Sequence, residues 1–162
     1  MALFSFQGDK SFRMKKLLIV CTIFSGVLAD QEVSAQEYKM GLGIRLSTAQ
    51  AVVNNSVSFK YFITETNALE GLLSFDPLAI GALYEVHRPL GAPGFQWLYG
   101  AGAYVAFEGE SNFGVMGVVG LDYKFQSIPI NLTLDWKPEL NFVQDIFFEP
   151  AAIGLSIRFA FR

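Results

Sequence analysis

The sequence predicts an all-β protein, an eight-stranded antiparallel up-and-down transmembrane β-barrel that follows a cleaved signal peptide. Long stretches alternate apolar residues with small or polar ones, which is the pattern of strands with one apolar face. Hydrophobic residues make up 52% of the 162 residues and charged residues only 17%. No run reaches the roughly 18 uncharged apolar residues of a membrane-spanning helix. A closed barrel is the other structure that crosses a bilayer, because its backbone groups pair between strands.

Residues 1–35 are predicted to be an N-terminal extension and a secretory signal peptide, and the signal proper begins at about residue 14. Two lysines precede an apolar stretch, residues 17–28, that is too short to span a bilayer. Small residues form a cleavage site that ends at Ala35, with Ala29 as a second candidate. Residues 36–162 then form the barrel domain, and Met1 and Met14 are alternative starts.

The first four strands are predicted from alternation that begins after this segment. They cover about residues 38–47, 56–64, 69–75 and 80–87. Each sets valines, leucines, isoleucines or aromatic residues against a face of small or polar side chains. Polar or proline-containing segments separate them, including Asn54-Asn55, Glu65-Thr66-Asn67 and Asp76-Pro77. These segments contain the residue types that favour turns.

The last four strands include the longest alternation in the chain, which runs from Phe95 to Asp135. Breaks of about four residues, GESN and QSIP, predict hairpin connections between three strands at about 95–107, 113–125 and 128–136. A longer loop at about 138–150 precedes the last strand, 153–161. If the chain starts in the periplasm, the longer connections, 47–55 and 138–150, lie outside the cell and the tighter turns lie inside.

The polar face of the strands is predicted to line the barrel interior. An eight-stranded barrel is just wide enough for side chains to fill it, and small residues leave room for long ones. Charges of opposite sign occur on this face in nearly equal number, so we expect an ion-pair network that closes the lumen. Its predicted members are Lys39, Arg45, Lys60, Glu70, Glu85, Asp122, Lys124, Asp135, Lys137 and Arg158.

The apolar face is predicted to contact lipid, with aromatic girdles at the two membrane interfaces. The candidates for these girdles are Tyr38, Trp97, Tyr99, Tyr123, Trp136 and Phe161. A soluble lipocalin-like carrier has the same alternation with its apolar face turned inward. Its exterior would be rich in charge, whereas the polar face of this chain is rich in glycine.

Four segments resemble the small outer-membrane β-barrel proteins of Bacteroidetes-type bacteria: WLYGAGAYVAF (97–107), GLDYKF (120–125), IPINLTLDWKP (128–138) and GLSIRFAF (154–161). The resemblance covers most of the predicted mature chain. It implies a barrel of OmpA or OmpX architecture in the cell outer membrane. Proteins of this kind mostly have no assigned activity.

The predicted role is therefore structural or surface-interacting, and we expect no enzymatic activity. The expected partners are outer-membrane lipid, the barrel-assembly machinery and an extracellular ligand or surface partner at the outer loops. A net charge of −3 gives no basic patch for nucleic acid, and a single His and a single Cys leave no motif for a metal or cofactor. A narrow porin-like channel, a lipid-modifying enzyme and a soluble carrier are the alternatives. His87, beside Glu85, is the one candidate for acid–base chemistry.

Overall fold

The computed structural model describes residues 38–48, 51–107, 112–142 and 146–162. The predicted signal peptide and the first three residues of the GESN connection, 109–111, lie outside the described residues. Within these ranges the chain forms ten strands and no helix. They are β1 (Met40–Ser47), β2 (Ser56–Phe62), β3 (Asn67–Phe75), β4 (Leu78–Pro89), β5 (Phe95–Ala106), β6 (Asn112–Lys124), β7 (Ile130–Trp136), β8 (Glu139–Asn141), β9 (Phe147–Glu149) and β10 (Ile153–Phe161).

Eight of these described strands close into an antiparallel barrel. Each strand from β1 to β6 pairs with the next one in the chain, β7 pairs with β10, and β10 pairs with β1 to complete the ring. In this register Ile44 of β1 lies opposite Val57 of β2 on one side and Ile157 of β10 on the other. The predicted up-and-down barrel is confirmed, and the predicted strand limits agree to within about two residues.

The remaining strands, β8 and β9, form a short hairpin that extends beyond the ring. β8 pairs with β6, and β9 pairs with β8. The loop predicted for this region is therefore wrong over these residues. Pro138 has no N–H, but its carbonyl accepts a hydrogen bond from the Gly117 amide at 3.0 Å, and the pairing with β6 resumes at Glu139.

Side chains alternate strictly between the two faces of the barrel wall. Alternate positions of every barrel strand are buried or partly buried, and the positions between them are exposed or partly exposed. The exposed positions carry leucine, isoleucine, valine and aromatic side chains, while the buried ones include most of the charged residues of the strands. No helix in the described part of the chain is long and apolar enough to cross a membrane.

The two ends of the barrel differ in their connections. One end, called here the turn end, carries Tyr38 and the connections 63–66, 90–94 and 125–129. Gly91 and Gly94 have φ angles of 77° and 81° in the middle connection of this end, a backbone conformation that favours glycine. The opposite end, called the loop end, carries the connection from β1 to β2 and the β8–β9 hairpin.

Candidate functional site: the barrel interior

Lys60 lies at the centre of the barrel interior and is fully buried. Its Nζ atom is 2.7 Å from a carboxylate oxygen of Glu85 and 3.9 Å from oxygens of both Glu70 and Asp122. These carboxylates come from β3, β4 and β6, whereas Lys60 is on β2. One ammonium group therefore links β2 by charge to its neighbour β3 and, across the interior, to β4 and β6.

Arg158 on β10 is the second centre of the network. Its Nε atom donates to Ser58 at 2.5 Å, one terminal nitrogen donates to Thr133 at 2.7 Å, and the other forms an ion pair with Glu70. The planar guanidinium has five donors in a fixed arrangement, so it can join several acceptors at once. Arg158 thereby connects β10 to β2, β3 and β7.

Asp122 is satisfied by neutral donors as well as by Lys60. The side-chain amide of Asn131 and the hydroxyl of Thr133 each donate to one of its carboxylate oxygens at 2.7 Å. Both donors are on β7, the strand next to β6. A buried carboxylate is stable when its oxygens are hydrogen-bonded, and this one is bonded on both.

A separate ion pair joins Arg45 on β1 to Asp135 on β7. One terminal nitrogen of Arg45 is 2.5 Å from Asp135, and Nε is 3.2 Å from each of its oxygens. Gly154 lies directly beside the guanidinium, and a Cβ atom at this position would collide with it. The glycine in β10 thus provides the space that the arginine side chain needs.

The loop end is closed by the connection between β1 and β2. Ala51 and Val53 are buried there, with 2% and 0% exposure. The Val52 amide donates to Glu139 at 2.8 Å, and Lys137 donates to the Val53 carbonyl at 3.0 Å while it pairs with Glu139 at 2.7 Å. Burial lowers the pKa of Lys137, and the Glu139 carboxylate opposes this shift. The pair fastens the segment 51–53 over the interior.

Replacing Glu139 with alanine is expected to release this segment. The change removes the acceptor of two backbone amides, Val52 and Val53, and the partner of Lys137. An unsatisfied buried group costs about 1–3 kcal/mol, so we expect amide exchange at these two residues to accelerate by about tenfold or more. Hydrogen exchange measures the effect, with the exposed Glu65→Ala as the control. Unchanged exchange at both amides would show that Glu139 does not hold the segment.

An apolar cluster fills the rest of the interior, and it was not predicted from the sequence. Leu72, Leu83, Leu98, Met116 and Val118 are all buried there. They belong to β3, β4, β5 and β6. Three of these strands also carry Glu70, Glu85 and Asp122, so charged and apolar side chains follow one another along the same strands. Their interior position follows from the alternation alone, since each has the phase of the polar face.

All ten residues predicted for the network are described by the structure, and eight of them are buried in the interior. The two that are not fully buried are Lys39 and Lys124. Lys39 is exposed and has no place in the network, because β1 begins only at Met40 and Lys39 lies at the rim. Lys124 points inward at the turn end but lies beside two aromatic rings, those of Tyr38 and Phe62. Ser58, Asn131 and Thr133 have the phase of the predicted polar face but were not predicted as members of the network, and Glu139 was not predicted to lie in the interior.

The predicted girdle residues lie on the outer face with one exception. Trp97, Tyr99 and Trp136 are exposed there, while Tyr123 and Phe161 are partly exposed. Tyr38 is buried, with 8% exposure, so its assignment to a girdle is wrong. It precedes β1 and turns inward, where its ring packs edge-on against Phe62 with centroids 5.6 Å apart.

His87 is fully buried at the turn end of the interior. Its Nε2 atom is 3.0 Å from Glu85, and its ring lies 5.0 Å from the ring of Phe62. The same Glu85 carboxylate pairs with Lys60, so it already serves the central network. In the ranges that the structure describes, no group of three or more His, Cys, Asp or Glu side chains could hold a metal ion.

Comparisons of the chain with protein-family models, with curated proteins and with solved structures give no match. What the barrel interior can do is therefore argued from its geometry.

Proposed function

We propose that the protein is an outer-membrane β-barrel with a structural or surface-interaction role and a lumen filled by side chains. The observation that carries this proposal is the inverted distribution of polarity. Ile44, Leu134 and Ile157 are about half exposed on the outer face, at 50%, 51% and 45%, whereas Arg45 and Arg158 inside are 1% exposed. A continuous apolar surface of this kind is costly in water and favourable in lipid.

Aromatic side chains support the same proposal. Phe95, Trp97, Tyr99, Tyr123 and Phe125 cluster near the turn end, where Phe95 and Tyr123 have centroids 4.4 Å apart and Trp97 and Tyr99 are stacked at 5.0 Å. Trp136 lies near the loop end and donates from its indole to the carbonyl of Pro150. Rings with an apolar body and a polar tip suit the two membrane interfaces.

The charge balance inside argues against the channel alternative. Five cations and five carboxylates point into the described interior: Arg45, Lys60, Lys124, Lys137 and Arg158 against Glu70, Glu85, Asp122, Asp135 and Glu139. Ion pairs and the apolar cluster fill the cross-section, and segment 51–53 covers the loop end. A soluble carrier would need an apolar cavity where this barrel has its ion pairs.

The surface role is assigned to the loop end, which faces outward if the chain enters the barrel from the periplasm. The β8–β9 hairpin extends there, and Phe142, Ile146 and Phe147 are exposed on or next to it. Loops that extend from a rigid scaffold are common contact sites. The resemblance to Bacteroidetes-type outer-membrane barrels and contact with the barrel-assembly machinery belong to the same proposal.

Fractionation and gel mobility test the proposal directly. We expect the protein in the outer-membrane fraction, with different mobility in unheated and boiled samples, because a closed barrel resists detergent until it is heated. In a planar bilayer, the purified protein should give no conductance steps above a protein-free preparation. A soluble periplasmic protein without a mobility shift would overturn the membrane location. Regular conductance steps would favour the channel alternative instead.

A further inference from the structure

A cavity of about 1060 Å³ lies at the turn end of the barrel. The connections 63–66 and 89–94 form part of its wall, together with Tyr38, Lys39 and Lys124. This cavity, called here the vestibule, is separate from the ion-pair network. Phe62, Pro89, Ala92 and Pro93 also line it, which gives it an apolar component.

Lys124 differs from the other cations that point into the described interior. Arg45, Lys60, Lys137 and Arg158 each have a carboxylate within ion-pair distance, whereas Lys124 has none among the described residues. Its Nζ atom instead lies 4.1 Å from the centroid of the Phe62 ring and 4.8 Å from that of Tyr38. Contact with ring faces compensates an ammonium only in part.

The carboxylate nearest in sequence to Lys124 is already occupied. Asp122 lies two residues before Lys124 on the same face of β6, and its oxygens accept hydrogen bonds from Asn131 and Thr133. Lys60 is also 3.9 Å from Asp122. The partly buried ammonium of Lys124 therefore lines the vestibule without a counter-ion of its own.

Two residues of the vestibule wall, Tyr38 and Gln96, each have a fully buried polar atom without a hydrogen-bond partner among the described residues, the hydroxyl of Tyr38 and the side-chain oxygen of Gln96. Burial, reinforced by the Asp122 carboxylate, raises the pKa of Tyr38 well above its ordinary value, so the hydroxyl remains a donor. Lys39 adds a second cation, and Glu65 is the carboxylate of the wall. Cations therefore outnumber carboxylates around the cavity.

We propose that the vestibule binds a small organic anion, a carboxylate attached to an aromatic or apolar group. Lys124 provides the counter-charge, and Phe62, Ala92 and Pro93 of the wall contact the apolar part. A hydrogen bond to a charged group is stronger than one between neutral groups, so Lys124 carries most of the preference for the anion. This binding site is independent of where the barrel resides.

Calorimetric titration with 3-phenylpropionate tests the site, with the neutral 3-phenylpropionamide and inorganic phosphate as comparison probes. The protein is titrated in lipid nanodiscs, or in buffer if fractionation finds it soluble. A failure of the proposed membrane location can then be distinguished from a failure of the proposed anion site. We expect the carboxylate to bind more tightly than the amide and phosphate. Lys124→Met should weaken its binding about tenfold or more, and Lys124→Arg should restore most of it.

Lys39→Met is the matched control at the rim, where an exposed charge contributes little. Lys124→Met breaks no ion pair, so the variant should fold and keep the wild-type melting temperature. No binding of 3-phenylpropionate by the wild type, equal binding of the acid and the amide, or unchanged binding by folded Lys124→Met would each overturn the proposal. Phosphate binding at least as tight as that of 3-phenylpropionate would overturn its apolar part.

Discussion

Replacing Arg158 with methionine is expected to lower the free energy of unfolding by about 3–5 kcal/mol, the usual cost of breaking a buried ion pair from one side. Methionine keeps most of the side-chain length but removes every donor. Glu70 then loses its closest cation and is left with Lys60 at 3.9 Å. Ser58 and Thr133 lose a charged partner in the same step. Urea unfolding of the reconstituted protein measures the change.

A double variant can distinguish the cost of leaving the Glu70 carboxylate without its cation from the cost of lost packing. Glu70→Leu combined with Arg158→Met removes both charges, so no buried charge is left without its main partner. We expect the double variant to be markedly more stable than Arg158→Met alone. The exposed Arg88→Met is the matched control and should unfold like the wild type. A wild-type unfolding curve for Arg158→Met would mean that the network contributes nothing to stability.

The strand arrangement could be predicted from the sequence because its signal is local. A period of two defines each strand and both of its faces, and an even number of apolar-faced strands favours closure. The predictions from alternation were wrong at two places, the loop predicted from Pro138 onward and the outward position predicted for Tyr38. Pro138 suggested the end of pairing, although the phase of Lys137 and Glu139 continues across it. Tyr38 has the phase of the outer face, but it precedes β1 and turns inward.

The members of the interior network could be predicted, but their partners could not. Phase alone places Arg158 and Glu70 inside, yet these residues are 88 positions apart and meet only because the ring closes between β1 and β10. Which carboxylate approaches which cation depends on strand stagger across the lumen, and no local pattern encodes it. The segment 51–53 was missed for a similar reason, since its anchors lie 84 to 87 positions away.

Replacing Ile157 with arginine is expected to cost about 2–4 kcal/mol if the outer face contacts lipid, because a charge near the middle of a bilayer is poorly solvated. Ile157 lies at the centre of β10, between Ile44 of β1 and Leu132 of β7, and it is 45% exposed. In water, a substitution at such an exposed position changes stability by only about 0.5 kcal/mol. Urea unfolding in phospholipid vesicles measures the difference.

Two control variants isolate the effect of charge at this position. Ile157→Thr keeps a β-branched side chain without a charge, so it measures the polarity and packing change alone. Ile146→Arg adds the same charge beyond the ring, at a residue that is 79% exposed, and should have little effect. A cost for Ile157→Arg within about 0.5 kcal/mol of both controls would mean that water covers the outer face, and the proposed membrane location would then be wrong. A large cost for Ile157→Arg with a small one for Ile157→Thr would support lipid contact independently of the gel assay, because the two variants share one position and differ in the charge, which lipid solvates far less well than water does.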